Sequence, residues 1–273
     1  MSREFGTGFH VAPGGTANAS AYERFTGRWS RLFVPSLLRA AEVTSGCRVL
    51  DVSTGTGEAA LMALPVVGAL GSVVGADIAP AMLEAAHARL SSPLFWPVGA
   101  DGQALPFRDA SFDCVICQLG LQFFPSPRVG LAEFRRVLCS GGRVAICVIS
   151  TPDKAPMWGM PADAVGRLRP DLKNILYLSF SLSDPTRLEG LLAVAGFSDV
   201  HIEREERKAL TESFDEYWAP IEAGIGSIPQ SYLTLSNAER CSVREEVRER
   251  LAPFVSGGKL RLSVEMLIGS GRA

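Results

Sequence analysis

The chain has 273 residues, 47% of them hydrophobic, which suits one large α/β domain whose core needs no disulfide or metal staple. A formal net charge of −2 and an isoelectric point near 6.0 give no polyanion-binding footprint, so no nucleic-acid partner is expected. Short basic clusters such as Arg135-Arg136 read as solvated helix faces.

The first twenty residues are rich in Gly, Ser, Thr and Ala and lack the apolar stretch of a signal peptide. They are expected to form a flexible segment, residues 1–20, and the cytoplasm is the expected location. In "ASAYERFTGRWSRLFVPSLLRAAEV" apolar residues recur at helical intervals, predicting a helical lid over 21–46.

A strand over Arg48–Val52 then runs into Ser53-Thr54-Gly55-Thr56-Gly57, with a helix from Glu58. Residues Ala59 to Ala76 carry no charge, but Pro65, Gly68 and Gly71 break that run into a helix and a buried strand, so no membrane span is expected. "SVVGAD" is the second strand. Pro80 opens the next helix at its first position, which makes Ala79 the N-cap.

"LFWPVGAD" holds the third strand and "FDCVICQLG" the fourth; a helix near Arg128–Leu138 ends at "SGG", before a fifth strand in "RVAICVIS". Cys114 and Cys117 form a C-x-x-C, yet residues three apart on a strand point to opposite faces, so their thiols are expected in the core and unpaired. With His10, His87 and His201 scattered, no zinc spacing exists and no metal is expected.

This alternation calls for a parallel sheet covered on both faces. Past Thr151 the pattern loosens to a helix in "DPTRLEGLLAVAGF", a strand in "DVHIEREERKAL", a charged helix in "SNAERCSVREEVRERLAPF" and a last strand in "KLRLSVEMLIGSG". The two late strands suggest an antiparallel edge on the sheet. Residues 21–273 are thus expected to form one domain: the lid, a ligand-binding core over 47–150, and substrate-side insertions with terminal strands over 151–273.

What the glycine loop holds is less direct. Gly55-x-Gly57-x-x-Ala60, with Asp77 about twenty residues on, fits the dinucleotide fingerprint. The loop is therefore either a pyrophosphate cradle or a site for a different nucleoside.

The order of four motifs is more specific: "VLDVSTGTG", "VVGADIAPAML", "GADGQALPFRDASFDCVICQLGLQFFPSP" and "EFRRVLCSGGRVAI" span most of Val49 to Ile146. "YERFTGRWSR" precedes them and "LEGLLAVAGF" follows. In this order and spacing the chain resembles the class I S-adenosylmethionine-dependent methyltransferases, particularly the small-molecule branch that includes ubiquinone and menaquinone methyltransferases. The resemblance implies a three-layer, Rossmann-like, seven-stranded and mostly parallel sheet with an antiparallel last strand. It implies S-adenosyl-L-methionine as cofactor, S-adenosyl-L-homocysteine as product, and a small-molecule methyl acceptor. The cofactor would lie over the carboxyl ends of strands one, two and four.

Carried onto these positions, the family pattern implies that Asp51 organises a loop of Ser53, Thr54 and Gly55 beneath the methionine moiety. Asp77 would accept hydrogen bonds from the ribose diol, its rival role being at the helix start. Ile78 and Met82 would flank the adenine, or simply fill core. Asp101-Gly102 would meet the adenine amino group, although Asp-Gly is also a common turn. Gln118 would face the sulfonium. Tyr22 and Arg28 belong to the lid, where the Arg28 guanidinium matches the cofactor carboxylate in shape. One residue departs from the family's Asp-x-Gly-x-Gly-x-Gly: Ser53 replaces the first glycine, and a serine is expected there only with negative φ or in a modified turn.

The acceptor pocket is expected between the lid, the segment after strand four, and the loops around Trp158 and Tyr217-Trp218. Phe123, Phe124, Met157, Trp158 and Met160 give it an apolar character that suggests a lipophilic or aromatic acceptor. No catalytic base stands out, and in-line methyl transfer needs one only if the acceptor must lose a proton. Two alternatives are a cofactor-binding protein of this fold without methyl transfer and an NAD(P)-dependent oxidoreductase. The second leaves "DASFD", "SGGR" and the terminal strands unexplained.

Overall fold

A computed structural model describes residues 26–224 and 226–273; Tyr22 and His10 lie outside them. A short helical turn at Arg28–Ser30 and a 3-10 turn lead into α1, Val34–Ala40. The alternation follows as β1 Arg48–Val52, α2 Glu58–Val67, β2 Ser72–Asp77, α3 Pro80–Leu90, β3 Phe95–Gly99, β4 Phe112–Gln118, α4 Pro127–Val137 and β5 Leu138–Ile149. Beyond lie α5 Pro156–Leu168, α6 Pro185–Val194, β6 Ser198–Thr211, α7 Phe214–Glu222, α8 Ser227–Leu233, α9 Asn237–Leu251, β7 Val255–Ser256 and β8 Lys259–Arg272.

The strands form one sheet in the order β3-β2-β1-β4-β5-β8-β6, with β7 pairing only β8. β1 to β5 are parallel, and β8 is antiparallel to both β5 and β6. The mostly parallel sheet with an antiparallel last strand is as expected, with two refinements. The antiparallel strand lies one place in from the edge, which β6 occupies. The eighth strand is a two-residue hairpin arm whose turn, Gly257-Gly258, has φ of 59° and 78°. Two consecutive positive φ angles match the right-handed twist of the strands they join. The charges of "EREERK" guard β6, an edge strand that would otherwise offer unpaired backbone.

Side-chain alternation divides the core between the sheet's two faces. Val49, Cys114, Ile116, Ala145 and Cys147 pack on one; Leu50, Val115, Cys117, Val144 and Ile146 pack on the other. Cys114 and Cys117 are thus buried on opposite faces, and all six cysteines are free. Burial holds the Cys114 and Cys147 thiols well above their ordinary range. The uncharged Ala59–Ala76 run divides at Gly68 into helix and strand. Among the described residues no helix is long and apolar enough to cross a membrane.

The insertions after β5 extend the core on the Val49 face of the sheet. Phe214 stacks on Trp218 at 5.6 Å, Trp218 meets Tyr232 edge-on at 5.4 Å, and the Tyr217 hydroxyl donates to the Met157 carbonyl at 2.7 Å. Met157, Trp158, Tyr217 and Trp218 are all buried. Phe124 packs edge-on against Phe134. Met157, Trp158, Tyr217 and Trp218 are thus packed in the core and not exposed on a pocket wall, because short inserted helices must bury an apolar face, whereas Phe123, Phe124 and Met160 are half-buried.

Candidate functional site

The carboxyl ends of β1, β2 and β4 lie side by side, and the loop after β1 is tied to β2 by two bonds. Thr54 N–H donates to the Ala76 carbonyl at 3.1 Å and Gly55 N–H to Asp77 Oδ2 at 2.8 Å. Ala79 N–H donates to Asp77 Oδ1 at 2.9 Å, so the acid also secures the start of α3, where Ala79 is the N-cap. Both expected roles thus fall on one side chain. The Ile78 amide also faces the carboxylate, which still keeps lone-pair capacity for a ligand. Burial raises the Asp77 pKa, opposed by its bonds to the Ala79 and Gly55 amides.

Ser53 has φ of 59°, which rules out a negative angle and leaves the other expected case, a modified turn. The bonds on either side hold the turn, so the serine accepts a left-handed conformation that costs a non-glycine residue about 1–2 kcal/mol. Gly57 is also left-handed, with φ of 81°, and a Cβ there would stand 2.6 Å from Leu90 Cδ1, so the missing side chain also lets α3 approach.

Asp51 is fully buried at the floor of the loop. Thr54 Oγ1 donates to its Oδ2 at 2.7 Å, while Oδ1 has no partner. Burial pushes its pKa up to about 7, with the Thr54 bond opposing. Across from it, Gln118 at the end of β4 donates from Nε2 to the Ser30 carbonyl at 2.7 Å, and its Oε1 is buried without a partner. Asp51, Ser53, Thr54 and Gln118 line one small cavity, whose roof is formed by Gly27 and Ser30 of the N-terminal turn.

Among the described residues, the others expected at the site do not line this cavity. Asp77 pairs with Gly99 in the β2–β3 register, and Ala100 N–H donates to the Asp77 carbonyl, which brings Asp101 alongside. Asp101 Oδ1 accepts from Gln103 N–H at 2.8 Å, a turn bond. A Cβ at Gly102 would stand 2.4 Å from the Phe124 ring and 2.9 Å from Val52, so close packing accounts for this glycine. Ile78 is exposed at the strand end, whereas Met82 is buried. Arg28 turns away from the cavity: its guanidinium donates to Glu216 Oε1 at 2.6 Å and to the Leu210 carbonyl at 3.1 Å. Tyr22 lies outside the described residues.

Sequence reasoning missed the buried Glu58, which also lines the cavity and accepts from Arg89 at 2.7 Å. An acid in the first turn of α2 was the available signal, since the helix dipole favours negative charge there. It also missed the roof contact from Ser30. His87 and His201 are exposed, and no group of three or more potential metal ligands exists among the described residues.

Comparison with known proteins agrees with this geometry. A family profile described as a methyltransferase domain matches residues 50–146. The demethylmenaquinone methyltransferase of Thermus thermophilus is 35% identical over 186 residues, 63% of this chain and 81% of that protein. A demethylmenaquinone methyltransferase of Clavibacter sepedonicus is 41% identical over 139 residues, 49% of this chain, and the match spans only 56% of that relative. A Haemonchus contortus phosphoethanolamine N-methyltransferase 2, solved with S-adenosylhomocysteine and phosphomonomethylethanolamine, shares the fold at a TM-score of 0.59. Its sequence is 17% identical, with 94% of this chain and 57% of that one covered. A dinucleotide enzyme of order 3-2-1-4-5-6 lacks the antiparallel strand that β8 inserts between β5 and β6. With that sheet order, the loop after β1 and the Thermus match, the chain belongs to the class I S-adenosylmethionine-dependent methyltransferases, in their small-molecule branch.

Proposed function

We propose that the cavity over β1 and β4 takes the methionine end of S-adenosylmethionine and that the chain methylates a small lipophilic or aromatic acceptor. The observation that carries the first half is the pair of buried acceptors without donors, Asp51 Oδ1 and Gln118 Oε1, in one cavity. A buried acceptor left unpaired costs about 1–3 kcal/mol, so the site suits a donor-rich, cationic ligand. The cofactor's ammonium group fits that need. The second half is supported by two relatives named for demethylmenaquinone, an aromatic and lipophilic acceptor.

When bound, the cofactor supplies a methyl group already activated by positive sulfur. The chain's own part is to bind, orient and keep the site dry. In this reading Ser53, Thr54 and Gly55 let backbone approach the methionine moiety, and Asp77 accepts from the ribose with its remaining lone pairs. Asp101 meets the adenine edge, with Ile78 and Met82 on the ring's faces. Arg28 serves by anchoring the roof to Glu216. Orientation of this kind can contribute about 7–11 kcal/mol of rate enhancement. No base is assigned. The cytoplasm is the proposed setting, a compartment that suits six free thiols.

Thermal unfolding tests the cofactor choice. S-adenosylhomocysteine at about a hundred times its Kd is expected to add about 2.7 kcal/mol and raise the midpoint by several degrees. NADH is expected to leave it unchanged. The opposite ranking would overturn the reading.

A further inference from the structure

We infer that Gln118 is a positioning residue that couples occupation of the cavity to closure of its roof. The inference rests on the cofactor reading above but concerns a different event. One amide group faces two ways. Its Nε2 donates to the Ser30 carbonyl at 2.7 Å, across 88 positions of chain, and its Oε1 is buried, unpartnered, in a residue that lines the cavity.

The roof is also held by two arginines. Arg28 reaches Glu216 and the Leu210 carbonyl, and Arg31 Nε lies 3.5 Å from Glu58 Oε1. The Arg28 contacts touch no atom of the cavity, so they fix the roof whether or not a ligand is present. Within the roof, Ser30 Oγ donates to the Gly27 carbonyl, which makes the turn a unit that the Ser30 carbonyl can carry.

An amide engaged only at nitrogen can swing about its last torsion, whose wells are broad. A donor on the ligand that engages Oε1 fixes the plane and so fixes the bond to Ser30. Binding and roof closure then strengthen each other by the same factor, as linkage requires. Asp51, buried in the same cavity with its own unpartnered oxygen, draws a cationic donor toward that position.

Hydrogen exchange of the amides of residues 28–33, with and without S-adenosylhomocysteine, tests this. In the wild type the ligand is expected to slow exchange there about tenfold. Gln118→Met, close in volume but with neither donor nor acceptor, should reduce that slowing to twofold or less. Gln118→Glu keeps an oxygen toward the cavity and has no N–H for Ser30. It should lose the protection and, by the same linkage, bind the ligand about tenfold more weakly than wild type. Arg28→Met should speed exchange in both states and preserve the ligand-dependent ratio. Full ligand-dependent slowing in folded Gln118→Met, or in Gln118→Glu, overturns the coupling. Failure of the wild type to bind S-adenosylhomocysteine in calorimetry instead overturns the cofactor reading, and the coupling with it.

Discussion

Ser53 and Gly120 compete for one volume: a Cβ built on Gly120 would stand 2.5 Å from both Cβ and Oγ of Ser53. The serine in the glycine loop thus imposes a glycine at the end of the neighbouring strand. Gly120→Ala is expected to cost about 1–3 kcal/mol by overpacking. Ser53→Gly should stabilise by about 0.5–1 kcal/mol, because the left-handed strain it removes exceeds the unfolded-state entropy it adds. The double variant should recover part of the alanine penalty, since Cys117 Sγ at 2.9 Å still crowds the site. Urea denaturation of the four proteins closes this cycle; strict additivity would contradict the shared volume.

Asp51 gives stability an unusual pH dependence. Its folded pKa is raised to about 7, above the ordinary carboxylate value. Between about pH 4 and pH 7 the native carboxyl keeps a proton that the unfolded one has released, so the ligand-free protein should lose stability as pH rises through that window. Asp51→Asn should flatten this fall while keeping an acceptor for Thr54. A cationic donor reverses the preference. S-adenosylhomocysteine binding near pH 6 should therefore release a proton, and affinity should rise with pH up to about 7 and level off above it. Calorimetry in buffers of different ionisation enthalpy measures that proton.

Asp101 and Gly102 can be separated by substitution. Asp101→Asn keeps an oxygen for the Gln103 N–H and so should leave the melting midpoint nearly unchanged. If the acid also meets an amino group of the ligand, the lost charge should weaken S-adenosylhomocysteine binding about fivefold to tenfold, in line with charge-assisted bonds being roughly twice as strong. Gly102→Ala should instead destabilise by about 1–3 kcal/mol through its clash with Phe124. Thermal melts and titrations on the two variants distinguish packing from recognition.

The strands β1 to β4 were legible because each is a short, largely apolar run, whereas β5 starts at Leu138 and takes in the Ser140-Gly141-Gly142 stretch that reads as a turn. The start of α9 was equally plain, since Ser236 and Glu239 form a capping box. The insertions were not. Pro161 and Pro220 lie inside helices, which spoils the local signal, and Met157 and Trp218 read as pocket because their partners are distant in sequence. The candidate site divides in the same way. Asp51, Ser53, Thr54 and Gln118 were named from the chain and meet in one cavity. The turn from Arg28 to Glu216 was invisible, because an ion pair across 188 positions leaves no local trace. The need for glycine at 102 likewise depends on the Phe124 ring, twenty-two positions away.

Binding of S-adenosylhomocysteine measured by calorimetry on wild type and Asp77→Asn tests the central claim most directly. Asp77 secures the loop and, in this account, also receives the ribose. The wild type should take up one equivalent. The variant should bind at least about tenfold more weakly, the loss of one charged hydrogen-bond partner. No uptake by the wild type, or an unchanged Kd in the variant, would contradict the account.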